Sequence, residues 1–341
     1  MTMTLPQSPA PLQPADFASD QEVQWCPGCG DYSILAQVRK ILARQGVDKA
    51  NTVFVSGIGC SSRFPYYMST YGFHSIHGRA ATIATGLKVS RPELNVWIVT
   101  GDGDALAIGG NHFLHLLRRN VDVKILMFNN RIYGLTKGQY SPTTLKGKKT
   151  KSSPVGSPDN PIRPISVAVG AEATFAARAL AADVKHLESV LERAAQHKGT
   201  AFVEIYQNCV IFDDGGYNYL AEKSVKAERM AYLVHGQPIR FGHNNEKAIA
   251  LRGLTPVVVN AADVPPESLL IHDEHAPDPS LAFLLSRLSH PDFPEPLGIF
   301  RDVTTPCYDD IVRDQITTAI TERGPGQLSQ LLRSGSTWKV A

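Results

Sequence analysis

The sequence predicts an α/β fold: a parallel sheet flanked by helices, followed by an irregular C-terminal extension. Between residues 50 and 210, short apolar runs alternate with longer amphipathic segments, the signature of β-α units that pair into a parallel sheet. The strand candidates are apolar almost throughout, as strands covered on both faces must be. One of them runs directly into a glycine-rich turn that opens a helix, which is where sheets of this kind bind ligands.

The elements follow in order. Residues 1–20 contain neither a basic start nor a long apolar run, and their Pro, Ser and Gln content predicts an extended tail without a secretion signal. Residues 21–215 are expected to form the ligand-binding domain. Its strands fall at residues 52–56 (TVFVS), 96–100 (VWIVT), 123–128 (VKILMF) and 201–206 (AFVEIY). Its helices fall at residues 79–90, 106–119 and 184–197, where Ala, Leu, Val and Arg recur at helical spacing. Residues 135–164 hold a lysine run and then SSPVGSPDNPIRP, too rich in Pro, Gly and Ser for a regular element, which predicts a long functional loop or lid. Residues 216–341 weaken into Pro- and His-rich stretches such as HDEHAPDPS, with one helical run at residues 280–289. They are expected to wrap a partner subunit.

Composition narrows the function. A content of 43% hydrophobic and 19% charged residues fits a soluble globular chain rather than a disordered one. A formal charge of +2 argues against nucleic acid or an anionic membrane as partner. No apolar run is long enough to span a bilayer, so a cytoplasmic location is expected. Thiols stay reduced there, so the five cysteines point to metal or redox ligation rather than disulfides.

Two groups of residues carry chemistry. The strand VWIVT ends in Gly101-Asp102-Gly103-Asp104, and the strand at 123–128 ends in Asn129-Asn130. Ligands gather at the carboxyl ends of parallel strands, so Asp102 and Asn130 can meet at one point and share a magnesium ion with a diphosphate. Gly101 and Gly103 would let the backbone approach the phosphates, and the following helix offers its amide ends to negative charge. The second group is Cys26-Pro27-Gly28-Cys29, a Cys-x-x-Cys knuckle, with Cys60 and Cys209 placed just after two of the strands. Four thiolates suit zinc or an iron–sulfur cluster, and spacing does not choose between them.

The first group resembles the thiamine-diphosphate enzymes, whose signature is GDG followed, at about this distance, by an asparagine that ends a strand. The resemblance implies the pyrophosphate-type thiamine-diphosphate-binding fold. It also implies magnesium ligation by the side chains of Asp102 and Asn130 and the carbonyl of Ile132. Taken with the cysteines, the motif order WCPGCGDYSIL, SGIGCSSRFPYY, HGRAATIATGLK, GDGDALAIGGNHF, NNRIYGLTKGQYSPTT and YQNCVIFDD resembles the beta subunit of the 2-oxoacid:ferredoxin oxidoreductases. That resemblance covers residues 20 to 215. A zinc ion cannot take electrons, whereas an iron–sulfur cluster beside thiamine diphosphate can accept them singly. The resemblance accordingly implies one 4Fe-4S cluster on Cys26, Cys29, Cys60 and Cys209, whereas Cys307 matches no ligand position.

The same resemblance assigns Gly57, Ile58, Gly59, Cys60, Ser61, His77, Gly78, Gly101, Gly103, Asp104, Gly134 and Leu135 to cofactor binding. His77, Arg63 and Lys137 are the catalytic candidates. A cation at Lys137 suits the distal carboxylate of 2-oxoglutarate, which is the expected substrate ahead of pyruvate or a broad range of 2-oxoacids. Further from the pattern lies a non-oxidative thiamine-dependent decarboxylase subunit. No second sheet supplies the glutamate that thiamine enzymes need beside the aminopyrimidine. An alpha subunit is expected to bring it, together with the coenzyme A site, in an assembly of two alpha and two beta chains served by ferredoxin.

Overall fold

The computed structural model describes residues 11–340. Its main sheet is built from Thr52–Ser56 (β1), Tyr71–His74 (β2), Asn95–Gly101 (β3) and Lys124–Asn129 (β4). After a small hairpin, Ile132–Tyr133 (β5) with Gln139–Tyr140 (β6), come Phe175–Leu180 (β7), Ala201–Tyr206 (β8) and Met230–Tyr232 (β9). Arg240–Phe241 (β10), Lys247–Arg252 (β11) and Thr255–Asn260 (β12) make a separate antiparallel sheet, and Glu295–Asp302 (β13) returns to the main one. The helices are Asp31–Gln45 (α1), Ala80–Ser90 (α2), Asp102–Leu106 (α3), Gly110–Arg119 (α4), Pro164–Gly170 (α5) and Val184–Gln196 (α6). The short turns Asn218–Ala221 (α7) and Lys226–Arg229 (α8) follow, then Ser280–Arg287 (α9), Tyr308–Arg323 (α10) and Leu328–Leu331 (α11).

The main sheet runs β2-β1-β3-β4-β8-β7-β13-β9. Strands β2 to β7 of that order are mutually parallel, while β13 lies antiparallel to β7. Alternation along each strand feeds two cores. Val53, Val55, Val96, Ile98, Ile125 and Met127 pack under α2, α4, α5 and α9, while Phe54, Trp97, Val99, Leu126 and Phe128 pack under α1 and α6. This is the expected doubly covered parallel sheet, and its six parallel strands send all their carboxyl ends to one edge.

The single helix expected at 106–119 is two. The chain turns helical at Asp102, breaks after Leu106 and resumes at Gly110. At Gly109 a Cβ would lie 2.4 Å from the Asp104 carbonyl, so the crossing of the two helices requires glycine. The expected extended tail is outside the described residues up to residue 10; beyond it, Pro14–Phe17 forms a 3-10 turn that buries Phe17 completely. The expected boundary at residue 215 cuts across the sheet, because β13 and β9 complete it. Arg178 on β7 explains the insertion: its guanidinium is buried between Glu204 of β8 and Glu295 of β13, each at 2.8 Å. Removing β13 would strand a charge in the core. No helix among the described residues is long and apolar enough to cross a membrane.

Candidate functional site

At the carboxyl edge of β1, β3 and β4 lies a cavity of about 510 Å³ lined by Ile58, Gly59, Cys60, Ser61, His77, Gly101, Asp102, Gly103, Asp104, Asn130, Ile132, Gly134 and Leu135. Asp102 is buried at the start of α3. Its Oδ2 accepts hydrogen bonds from Ser141 Oγ and Thr143 Oγ1, both at 2.5 Å. Burial pushes its carboxyl up, and these hydroxyls and backbone amides only partly offset that. A divalent cation would supply the missing counter-charge. Asn130 holds its own turn through Ile132 N–H at 3.2 Å and lines the cavity, whereas Asn129 turns away to bond Glu204 at 2.7 Å. Asp102 and Asn130 therefore offer side-chain oxygens that fit an oxygen-loving ion, with Ile132 lining the cavity beside them.

Asp104 assembles the walls. Its carboxylate accepts the N–H of Ile58 (3.0 Å), the N–H of Gly78 (2.8 Å), Nδ1–H of His77 (2.7 Å) and the Thr100 hydroxyl (2.7 Å). Gly57 packs so closely on this carboxylate that a Cβ there would lie 1.9 Å from Oδ2. Glycine at 103 has a similar cause: a Cβ would lie 2.3 Å from the ring of Tyr133, whose hydroxyl bonds the Gly103 carbonyl. Because Asp104 takes the Nδ1–H of His77, Nε2 is the ring nitrogen left for the cavity.

A second cavity, of about 240 Å³, holds the cysteines. Cys26, Cys29, Cys60 and Cys209 line it together with Arg63 and Lys137. They converge although β1 and β8 are not neighbours but are separated by β3 and β4. The loops after those strands lean towards the Tyr133–Lys137 turn. A Cβ at Gly134 would sit 3.6 Å, an ordinary contact distance, from the sulfurs of both Cys60 and Cys209, so this residue lies between the two. The knuckle is closed by Cys29 N–H to Cys26 O at 3.0 Å, and Trp25 Nε1–H ties it to the Cys60 carbonyl at 2.7 Å. Burial, then Asp31, pushes the Cys60 thiol up to about 11 and Cys29 higher still. All four cysteines are free thiols. The two cavities share Asp31, Cys60, Asn130, Gly134 and Leu135 as a common wall.

With this geometry in view, the comparisons with known proteins are decisive. Residues 57–205 match the thiamine pyrophosphate enzyme family, C-terminal TPP binding domain. The chain is 53% identical to 2-oxoglutarate oxidoreductase subunit KorB of Mycobacterium tuberculosis, over 98% of this chain and 91% of that one. It belongs to the beta subunits of the 2-oxoacid:ferredoxin oxidoreductases. A beta subunit of that family from Aeropyrum pernix is 47% identical over 59% of this chain and 63% of its own length. A solved 2-oxoglutarate:ferredoxin oxidoreductase from Magnetococcus marinus, with 2-oxoglutarate, coenzyme A and succinyl-CoA bound, matches 96% of this chain and 97% of its own, with a TM-score of 0.73 and 31% identity.

As a family member, the chain is the thiamine-diphosphate-binding subunit of an oxidoreductase. The residues singled out in the sequence divide between its two cavities. Gly57 and Gly78 sit behind the larger cavity, against Asp104 and Gly109. Arg63 and Lys137 lie beside the cysteines rather than beside Asp102. Arg63 Nη1 bonds the Gln24 carbonyl at 2.6 Å, and Lys137 is exposed with a left-handed φ of 81°. Sequence reasoning missed Asp31, Ser141 and Thr143. The last two lie in the expected lid, whose start is buried because their hydroxyls bond Asp102. A serine and threonine in a Pro-containing loop carry no signal of such a partner until the loop is folded.

Proposed function

We propose that this chain is the beta subunit of a 2-oxoglutarate:ferredoxin oxidoreductase. The reaction takes 2-oxoglutarate, coenzyme A and two oxidised ferredoxins to succinyl-CoA, carbon dioxide, two reduced ferredoxins and a proton. The observation that carries the reading is the wall shared by the two cavities, which puts four cysteines one residue layer from the pocket of Asp102.

Magnesium would be held by Asp102, Asn130 and the Ile132 carbonyl, and one 4Fe-4S cluster by Cys26, Cys29, Cys60 and Cys209. Among the described residues, only His235, Glu274 and His275 form a set of three or more His, Cys, Asp or Glu ligand atoms within 4.8 Å of one another. No three of the cysteine sulfurs therefore lie within 4.8 Å of one another, whereas all edges of a zinc–thiolate tetrahedron with ~2.3 Å bonds are ~3.8 Å, which favours a cluster over zinc. When bound, thiamine diphosphate supplies the decarboxylating chemistry and the cluster accepts electrons one at a time. The chain's own part is positional. Ser141 and Thr143 hold Asp102, Asp104 ties the loops of residues 57–58 and 77–78 to α3, and His77 presents its Nε2 to the cavity. Arg63 and Lys137 are the cations available to a distal carboxylate.

The choice of 2-oxoglutarate rests on the relatives from Mycobacterium tuberculosis and Magnetococcus marinus, whose names carry that substrate. An alpha subunit would supply the aminopyrimidine-side glutamate and the coenzyme A site, as two alpha with two beta chains in the cytoplasm. Apolar residues on α10 and beyond it, including Ile316, Ile320, Leu331 and Trp338, are exposed and available for that contact. The test is an anaerobic assay of the co-purified subunits with 2-oxoglutarate and with pyruvate, alongside iron and thiamine content. Iron-containing brown protein that reduces ferredoxin with 2-oxoglutarate supports the reading; colourless, iron-free protein that still decarboxylates overturns it. Asp102→Ala should lose thiamine diphosphate and magnesium while keeping its iron.

A further inference from the structure

A different group of ligand-bearing side chains lies where the C-terminal part of the chain meets the main sheet. His235 follows β9, Glu274 and His275 precede α9, Asp302 ends β13, and Arg193 is in the last turn of α6. One ligand atom from each of His235, Glu274 and His275 falls within 4.8 Å of the other two. The proton positions follow from the partners. His275 Nδ1 lies 2.6 Å from the Asp302 carbonyl oxygen, which can only accept, so Nδ1 carries the hydrogen. Nε2 is then the ring nitrogen that faces Glu274 Oε1, 3.4 Å away. A cation held between Nε2 and this carboxylate would satisfy both atoms, as would a proton on Nε2. A spacing of 3.4 Å matches the edge of a tetrahedron whose metal–ligand bonds are about 2.0–2.2 Å.

The surroundings hold these ligands in place. Glu274 is buried, and Arg193 Nη2 bonds its Oε1 at 2.9 Å while also bonding Asp302 Oδ2 at 2.6 Å. Asp273 Oδ1 stands 3.5 Å from Nδ1 of His235, and the rings of His235 and His275 lie 4.7 Å apart. Carboxylate and carbonyl acceptors behind ligating histidines are the usual means of orienting them.

We propose that His235, Glu274 and His275 form a site for a borderline divalent cation of the zinc class, separate from the thiamine and cysteine cavities. Two imidazoles and one carboxylate suit zinc and its neighbours, whereas magnesium and calcium prefer oxygen alone. Three protein ligands leave a fourth position for water or an anion, beside a groove of about 580 Å³ lined by His186, Glu192 and Tyr232. A cation here clips the segments after β9 and before α9 to each other, close against β13 and α6.

The test uses the intact complex of this chain with its alpha partner, dialysed against a chelator and then equilibrated with Zn²⁺ near neutral pH. Zinc and iron are counted by mass spectrometry in wild type, His235→Ala, His275→Ala and His275→Gln. The glutamine keeps the bulk and a donor towards Asp302. Wild type should hold one zinc per chain that all three variants lose, with affinity down by more than about a hundredfold, because changes behind the ligands alone cost up to that much. Iron content should be unchanged, and zinc should raise the thermal midpoint of wild type only. Equal zinc counts in wild type and variants overturn the proposal. So does a wild type that binds no zinc, which leaves a protonated His275 paired with Glu274.

Discussion

Removing the Asp104 carboxylate should undo two wall segments at once. Asp104→Ala leaves the amides of Ile58 and Gly78 and the Nδ1–H of His77 without their acceptor. The Thr100 hydroxyl can fall back on the Gly101 carbonyl, already 3.3 Å away, so it adds little. His77 is half-exposed and can turn to solvent. The two amides dominate, at about 1–3 kcal/mol each for an unsatisfied buried donor, or roughly 2–6 kcal/mol in all. With an unfolding entropy of about 2.1 cal/mol/K per residue over 341 residues, each kcal/mol moves the thermal midpoint by roughly 1.4 °C, so a fall of about 3–8 °C is expected. Asp104→Asn keeps an oxygen for these donors and offers its amide to Thr100, so its midpoint should fall by about 2 °C or less. Calorimetry of the complex gives the midpoints, and thiamine assay after gel filtration reads the cavity: alanine should lose the cofactor and asparagine retain it. An alanine variant as stable and as fully loaded as wild type would refute the reasoning, as would an asparagine variant as damaged as the alanine one.

Cys209→Ala should lower iron per chain although it lies far along the chain from Cys26; unchanged iron and visible absorption would remove it from the ligand set. Lys137→Ala should reduce 2-oxoglutarate turnover about ten- to a hundredfold relative to pyruvate if the partner subunit covers the charge pair, since charge-assisted contacts are worth about 1.5–3 kcal/mol. An unchanged ratio of the two rates would assign Lys137 to the cysteine cavity alone. Asp122 is half-buried, which raises its pKa, but Lys124 at 3.1 Å, Lys198 at 2.9 Å and Lys88 at 3.4 Å outweigh that and hold it well below the usual carboxylate range. A depressed folded pKa stabilises above the unfolded value of about 3.9 and loses that contribution as pH falls through it. The midpoint deficit of Asp122→Asn should thus be largest at neutral pH and shrink below about pH 4; a deficit independent of pH would contradict the ion cluster.

Much of the sheet was legible because its strands are local events. TVFVS and AFVEIY are apolar and β-branched or aromatic enough to declare themselves, and both strands begin and end where the pattern does. β7, with the sequence FAARAL, was not: alanine and arginine favour helix, and only the buried pairing of Arg178 with Glu204 and Glu295 makes a strand of it. The helix α1 was missed because its apolar positions follow directly on the cysteine knuckle, where the motif masks the periodicity. The break between α3 and α4 was missed because it depends on a contact of Gly109 with the preceding turn, not on local propensity.

For the site, the sequence alone determined which chemistries are present: Asp102 and Asn130 at the ends of two strands, four cysteines in three separate segments, and His77 after a turn. Those are properties of residue type and spacing, and they survive any error of a few residues in the elements. What only the tertiary structure decided is how these groups stand to one another. The cysteines meet across β3 and β4 because the loops after β1 and β8 both reach Gly134; Asp104 is committed to the walls because four donors from two loops and a strand converge on it; and Lys137 lines the cysteine cavity rather than that of Asp102. Each depends on contacts between residues far apart in the chain. Spacing along a sequence cannot encode such contacts until the sheet order is known.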